Sequence, residues 1–205
     1  LLSFFAAQRS ALRSRKAITK EADPIETMLD IINAERFRKR LPRITRPYLE
    51  TALQMGAEEA IALLGRDFSI SASQAALDSV TGHLEVLEYQ IRNTTNEDVR
   101  RVITEGLAAQ ETAGQLRARV DALFEGYETW RVDRIVRTEV SAAYEMGALK
   151  QFEGAGVTLV DVDDGDEDDE CAAANGSVWT VEEALADPLA HPNCTRVFSP
   201  HEGDE

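Results

Sequence analysis

The chain is poor in cysteine, with only Cys171 and Cys194 in 205 residues. Two cysteines cannot make the disulfide framework of a small secreted domain, so a reducing, cytoplasmic setting is the default expectation. No apolar run reaches the length of a membrane-spanning helix, so no transmembrane segment and no membrane partner is expected. The opening stretch LLSFFAAQRSALRSRK does not read as a convincing secretory leader, because its apolar part is short and its basic residues follow it instead of preceding it. The chain begins at Leu, which fits a fragment or a processed product. Ser-His-Asp order, HExxH, a glycine-rich phosphate loop and internal repeats are all missing. The expectation is therefore a protein that is not an enzyme.

What is present is charge, unevenly divided. Net charge is −15. Residues 1–47 hold 11 basic and 5 acidic side chains, net +6, so the remainder, with 11 basic and 32 acidic, is net −21. So acidic a chain is a poor general nucleic-acid binder. The basic cluster Arg36, Arg38, Lys39 and Arg40 is either a solvated helix face or a patch that meets phosphate, including DNA, or an acidic protein.

Most of the chain reads as helix. Residues 1–22 lack Pro and Gly and can form one helix carrying Arg9, Arg13, Arg15, Lys16 and Lys20. Asp23 caps a second, with Pro24 in its first turn and Ile25, Met28, Leu29, Ile32 and Phe37 on one face. It runs into the basic cluster at its C-terminal end, where cations suit the helix dipole. Pro42 and Pro47 break or restart the helix. The next runs over 47–64 and is stopped by Gly65. After a link at Phe68–Ser71, Ser73 caps a helix through about Arg92, with Leu77, Val80, Leu84, Leu87 and Ile91 inward. Thr94 or Thr95 caps another, with Val99, Val102, Ile103 and Leu107 inward. Thr112 and Gln115 make a capping box for a helix that Gly126 ends. The longest helix is expected from Tyr127 to Phe152, about 40 Å, with Val132, Val136, Val140, Ala143 and Gly147 as its buried stripe. The N-terminal helices carry more apolar surface than a lone rod hides, which predicts that residues 1–64 dock on another subunit.

Past Gly154 and Gly156 the texture changes. Residues 157–162 alternate as a strand, an acidic loop follows, and Asn175-Gly176 marks a tight turn. Ser177–Trp179 is a second strand. Thr180 and Glu183 box a short helix over 181–186, and Arg196–Phe198 is a third strand. The fold class is mainly α: an extended helical N-terminal region, then a small α+β cap with short strands. The expected division is a helical docking arm over 1–94 and a second domain over 95–205, the latter formed by the long helix 127–152 and a cap at 157–200.

Three clusters are candidate sites. His191-x-x-Cys194 has ligand spacing, and Cys171 lies upstream, so a knot can gather them around a metal, zinc being the natural choice, with His201 or an acid such as Asp168 as fourth ligand. The alternatives are a Cys171–Cys194 disulfide, or two packed thiols. The acid run Asp161–Glu170 fails the calcium-loop pattern and reads as a solvated loop, with weak Ca²⁺ or Mg²⁺ binding as its alternative. Arg134, Arg137 and Glu139 put charge in the middle of the long helix, either as a buried ion pair tying the helix to the cap or as an exposed face. His83 stands alone on a helix, structural or exposed.

Taken together, the order of these parts resembles the phage head morphogenesis family, the minor head proteins similar to the F protein of phage Mu and gene product 7 of phage SPP1. Arg137-Thr138-Glu139 looks like the family's RTE motif and His191-Pro192-Asn193-Cys194 like its HPNC signature, with Cys171 and Asn175-Gly176 matching the middle. The likeness covers roughly Thr95 to Pro200. The chain departs from the pattern where many members carry paired cysteines: Ala174 and Arg196 stand there instead, against a four-thiolate site. The resemblance implies a virion component made in the host cytoplasm, lying at the portal vertex or head interior. It implies the portal protein and other head proteins as partners, a role in head assembly or genome packaging and ejection, and in some phages fusion to the portal protein. The competing expectation is a metal-dependent or nucleotide-modifying enzyme, as in toxin-like relatives, with a cleft lined by Arg137, Glu139 and His191.

Overall fold

The computed structural model describes residues 1–14, 23–65 and 74–202, the side chains of 14 and 74–79 excepted. The expectations for Arg15, Lys16, Lys20, the link at Phe68–Ser71, the Ser73 cap and the Leu77 side chain fall outside them. The chain is mainly helical, with long N-terminal helices and a small C-terminal three-stranded antiparallel sheet flanked by short helices. In order the elements are α1 (Leu2–Ser14), α2 (Pro24–Ile32), α3 (Glu35–Leu64), α4 (Gln74–Ala108), α5 (Ala113–Gly126), a π-helical turn (Tyr127–Arg131) and α6 (Val132–Gly154). Then come β1 (Leu159–Asp163), α7 (Asp169–Ala174), β2 (Val178–Thr180), α8 (Val181–Ala186) and β3 (Val197–Pro200).

These elements form two compact units, each made of two stretches: Leu1–Thr45 with His83–Asp133, and Arg46–Gly82 with Arg134–Glu205. The division does not follow a cut at 94/95. It falls inside α3 after Thr45, inside α4 after Gly82 and near the start of α6 after Asp133.

In the first unit Asp23 accepts the N–H of Ile25 and Pro24 occupies the first turn of α2, so the cap forms as the sequence dictates. Asn33 then ends α2, and the cluster from Arg36 to Arg40 sits in the opening turns of α3, not at a helix C-terminus. Two of its cations are neutralised locally, Lys39 by Glu35 at 2.7 Å and Arg38 by Glu88 at 3.8 Å. The core joins Phe4 and Phe5 of α1, Met28, Leu29, Ile31 and Ile32 of α2, and Leu116, Val120 and Phe124 of α5, all buried. Phe5, Phe124 and Tyr127 form an aromatic cluster with ring centroids 5.2–6.5 Å apart. The apolar faces of α1 and α2 are thus covered by this chain's own residues.

Expected helix breaks are absent at three places. α3 runs unbroken through Pro42 and Pro47, although each proline deprives the carbonyl four residues earlier of its donor. Burial of Leu41, Leu49 and Leu53 along the helix outweighs that cost. α4 runs unbroken past Thr94 and Thr95, because neither hydroxyl caps anything. Thr94 donates to the Gln90 carbonyl at 3.0 Å and Thr95 to the Ile91 carbonyl at 2.6 Å, the back-bonding that lets threonine sit inside a helix. Leu107, expected inward, is exposed. α5 continues through the π-helical turn into α6, so Gly126 does not terminate the helix.

In the second unit α3 and α6 cross at very close range. A Cβ built on Gly56 would lie 1.9 Å from the Tyr144 carbonyl oxygen, and one on Gly147 would lie 1.9 Å from that of Leu53. Only glycine allows the two backbones this approach. Beside the crossing, Ala60, Ala148, Leu149 and Phe152 pack with Val160, Val162, Val181, Ala184 and Phe198 of the cap. The α6 stripe is corrected: Ala143 and Gly147 are buried, but Val136 and Val140 are exposed and Glu145 is buried. β1 is the central strand, pairing Val160 with Trp179 of β2 and Val162 with Phe198 of β3. The strand period of two sends Val160, Val162 and Phe198 into the core and leaves Asp163, Val197 and Ser199 exposed.

Candidate metal centre

The site is assembled by three loops of the cap. The first is the acidic loop after β1. Asp168 caps α7, its Oδ1 accepting the N–H groups of Glu170 and Cys171 at 3.1 Å. This aims Cys171, the third residue of α7, inward and buries it completely. The second is the Asn175-Gly176 turn. Asn175 ends α7 and its Oδ1 accepts the Asp164 N–H at 3.1 Å. Gly176 has φ +74° and donates its N–H to the Val162 carbonyl at 2.8 Å, so a left-handed residue folds α7 back against β1. The third is His191-Pro192-Asn193-Cys194. The Cys194 N–H closes the turn on the His191 carbonyl, and Asn193 takes the left-handed conformation at φ +66°, which asparagine tolerates better than most residues.

These loops bring the two sulfurs to 3.8 Å, with His191 Nε2 3.1 Å from Cys171 Sγ. Both thiols are free, so the disulfide alternative is not realised. Asp166, Cys171, His191 and Cys194 offer four ligand atoms, all within 4.8 Å of one another, and can hold a metal ion. The fourth member is an acid of the loop, as expected, but it is Asp166 and not Asp168 or His201. His201 lies elsewhere, its Nδ1 2.7 Å from Asp161 Oδ1. Asp168 lies 2.8 Å from His191 Nε2 while capping α7, and Asp166 completes the group. Asp166 is itself fixed by the Thr195 N–H, which donates to its Oδ2 at 2.9 Å.

Carboxylates surround the two thiols and the imidazole. Burial pushes the Cys171 thiol well above its ordinary value, reinforced by Asp164, Asp168 and Cys194. Asp168 is held down at about 2, first by the Cys171 backbone N–H and also by His191. His191 is raised, first by the Pro192 carbonyl and then by Asp168 and Asp166. Its Nδ1 is 3.0 Å from that carbonyl; when Nδ1–H donates there, Nε2 is the nitrogen turned to the sulfurs, the outer-shell device that orients ligand imidazoles.

Beneath the site lies an ion pair that sequence reading missed. Arg196 Nε donates to Asp164 Oδ2 at 2.9 Å, with side chains 1% and 0% exposed. Arg196 also donates to the Asp187 carbonyl at 3.3 Å and stacks over Trp179 at 4.8 Å. Cys194 lies 3.7 Å from the same Asp164 oxygen. Burial alone would raise Asp164, yet hydrogen bonds from Cys171 and Arg196 hold it below the ordinary carboxylate value. The acid run is therefore not simply a solvated loop: Asp164 is buried and paired, Asp166 joins the cluster, and Asp168 caps a helix.

The RTE segment meets this cap through its threonine. Thr138 Oγ donates to the Arg134 carbonyl at 2.9 Å and accepts the Asn193 N–H at 3.0 Å. Arg137 is exposed and Glu139 half-buried, and the Thr138 hydroxyl links this segment to the cap. His83 is half-buried. No helix among the described residues is long and apolar enough to cross a membrane. In comparisons with known protein families, curated proteins and solved structures, the chain matches none.

Proposed function

We propose that this chain is a structural minor head protein of a tailed phage, of the head morphogenesis kind, acting at the portal vertex in head assembly or genome packaging and ejection. The observation that carries the reading is the hydrogen bond from Asn193 to Thr138. It joins the HPNC turn to the RTE segment across 55 residues of sequence, while Cys171 packs against Cys194 from the other side. Motifs that form one folded unit support a likeness of whole architecture better than motifs scattered over a surface. The rest of the reading is that the chain resides in the virion, with the portal protein and other head proteins as partners. The basic stretch around Arg36, Arg38, Lys39 and Arg40 is its candidate DNA contact.

The metal in this reading is zinc. Metal–ligand distances of about 2.0–2.3 Å in a tetrahedron give ligand–ligand edges of roughly 3.3–3.8 Å, and the sulfurs stand 3.8 Å apart. Cys171, Cys194, His191 and Asp166 would hold it, and zinc would cross-link loops that otherwise share few apolar contacts. Its role is structural, since four protein ligands leave no open position for substrate.

Two measurements test the proposal. Mass spectrometry of purified particles should find the chain in a few copies per virion, and immobilised portal protein should retain it from solution. Absence from particles together with no retention would overturn the head-protein reading. Independently, metal analysis of protein purified without chelator should give one zinc per chain, lost in Cys171→Ser/Cys194→Ser; a metal-free, equally stable protein would overturn the zinc.

A further inference from the structure

A groove of about 300 Å³ opens in the first unit between α1, α2 and α5, away from the cysteine cluster in sequence and in element. Its floor is apolar, made of Leu12, Met28, Ile31 and Val120, and its rim carries Arg9, Arg13, Arg117 and Asp121. The rim charges are not equivalent. Both oxygens of Asp121 are taken by two guanidinium forks, Arg9 at 2.9 Å and Arg13 at 2.6 and 2.7 Å. Arg9 also reaches Glu125 at 3.0 Å and Glu128 at 3.4 Å, so its charge is spent within the fold. Arg13 is largely exposed and keeps its remaining guanidinium N–H groups. Arg117 is exposed and makes no ion pair among the described residues. The mouth therefore offers two cationic donors above an apolar floor, in a chain whose net charge is −15.

We propose that this groove binds a small amphipathic anion, an acidic head group on a short aliphatic body. The volume is at the lower end of small-molecule sites, about 300 Å³, and its described lining is aliphatic, with no aromatic ring to stack a base. An uncharged apolar ligand would leave the guanidiniums to water and gain only burial. A cationic one would face two like charges at the mouth. An anion gains both burial of its chain and charge-assisted hydrogen bonds from Arg117 and Arg13. A fatty-acid carboxylate and an alkyl phosphate share this chemistry.

The test uses the full chain with decanoate and decyl phosphate, each below its micelle concentration, and decylammonium as control. Methyl NMR signals of Leu12, Met28, Ile31 and Val120 should shift with the anions. Saturation by one anion and not the other assigns the head group. Arg117→Glu, at an exposed position, should weaken anion binding about fivefold or more. Ala118→Trp, also on the exposed lining, should abolish it by filling the groove, with the helical circular dichroism unchanged. Decylammonium binding as tightly as decanoate, no methyl shift with either anion, or an Arg117→Glu variant that binds like the parent would each overturn the proposal.

Discussion

Single residues decide how tightly the second unit closes. At Gly147 an added methyl would meet the backbone of Leu53, and a backbone cannot swing aside as a side chain does. Gly147→Ala should cost about 3 kcal/mol or more, beyond ordinary overpacking, read as a lower urea midpoint at unchanged slope. Gly82, with open space around its Cβ position, should accept alanine with little change. Glu145 is a different burden. It is buried on α6, and burial raises its pKa to about 7 against a hydrogen bond from the Phe198 backbone. The folded state thus holds the proton more tightly than the unfolded chain, where a glutamate titrates near 4.3. The contribution is complete below that value and is lost as pH rises through about 7. By pH 8 the buried charge should cost about 3 kcal/mol. Glu145→Gln keeps an acceptor for Phe198, so it should be more stable than the parent at pH 8 and no more stable at pH 4. Urea titrations of both proteins at the two pH values check this, and a Glu145→Gln variant whose stability relative to the parent is the same at pH 8 as at pH 4 would contradict it.

At the scale of elements, threonine chemistry separates what the sequence showed from what it hid. Thr112 and Thr180 each complete a capping box in the structure, because a cap is a contact between residues three apart and is legible without tertiary information. Gly65 and Gly156, both at positive φ, end their helices for the same local reason. Thr94 and Thr95 carry the same side chain yet sit inside α4, where burial of Ile91 and Val99 on either side holds the helix through them. Pro42 and Pro47 mislead likewise. Local signals state a preference, and long-range burial decides whether it prevails. The α6 stripe failed since α6 is buried where it crosses α3, a feature set by paired glycines far apart in sequence. Within the site, Cys171, His191 and Cys194 were readable from ligand spacing. Asp166 was not, because nothing in a run of acids distinguishes the one that faces a sulfur. Thr95 also yields a test. Its hydroxyl accepts from Arg131 at 3.1 Å in a buried setting. Thr95→Val preserves shape but removes that acceptor, so it should cost roughly 1–3 kcal/mol. Thr138→Val, at an exposed link, should cost less than 1 kcal/mol. Equal losses in chemical denaturation would refute the distinction.

For the molecule as a whole, the two units differ in what holds them. The first has an aromatic cluster of Phe5, Phe124 and Tyr127. The cap of the second rests on strands of three to five residues and helices of six. Its loops after β1 and α8 carry polar contacts at Cys171, His191, Cys194, Asp164 and Arg196. Short elements bury little apolar surface, and small folds of this kind commonly rely on a staple. If a bound ion is that staple, its removal should act on one unit alone. Chelation leaves two thiols, a carboxylate and an imidazole crowded together, with Cys171 fully buried and Asp164 still neutralised by Arg196. The loops should then open while the Arg196 pair keeps the sheet partly formed. Hydrogen exchange with and without chelator should show faster exchange at Cys171, Cys194 and Thr195, smaller changes at Val160 and Val162, and none at Phe124 or Tyr127. Arg196→Met should extend the loss of protection to β1 and β3, because Asp164 is left buried and unpaired, a change that costs about 3–5 kcal/mol. Uniform acceleration across both units would mean that the ion stabilises the whole chain, and no acceleration at Cys171 would mean that the cap stands without one.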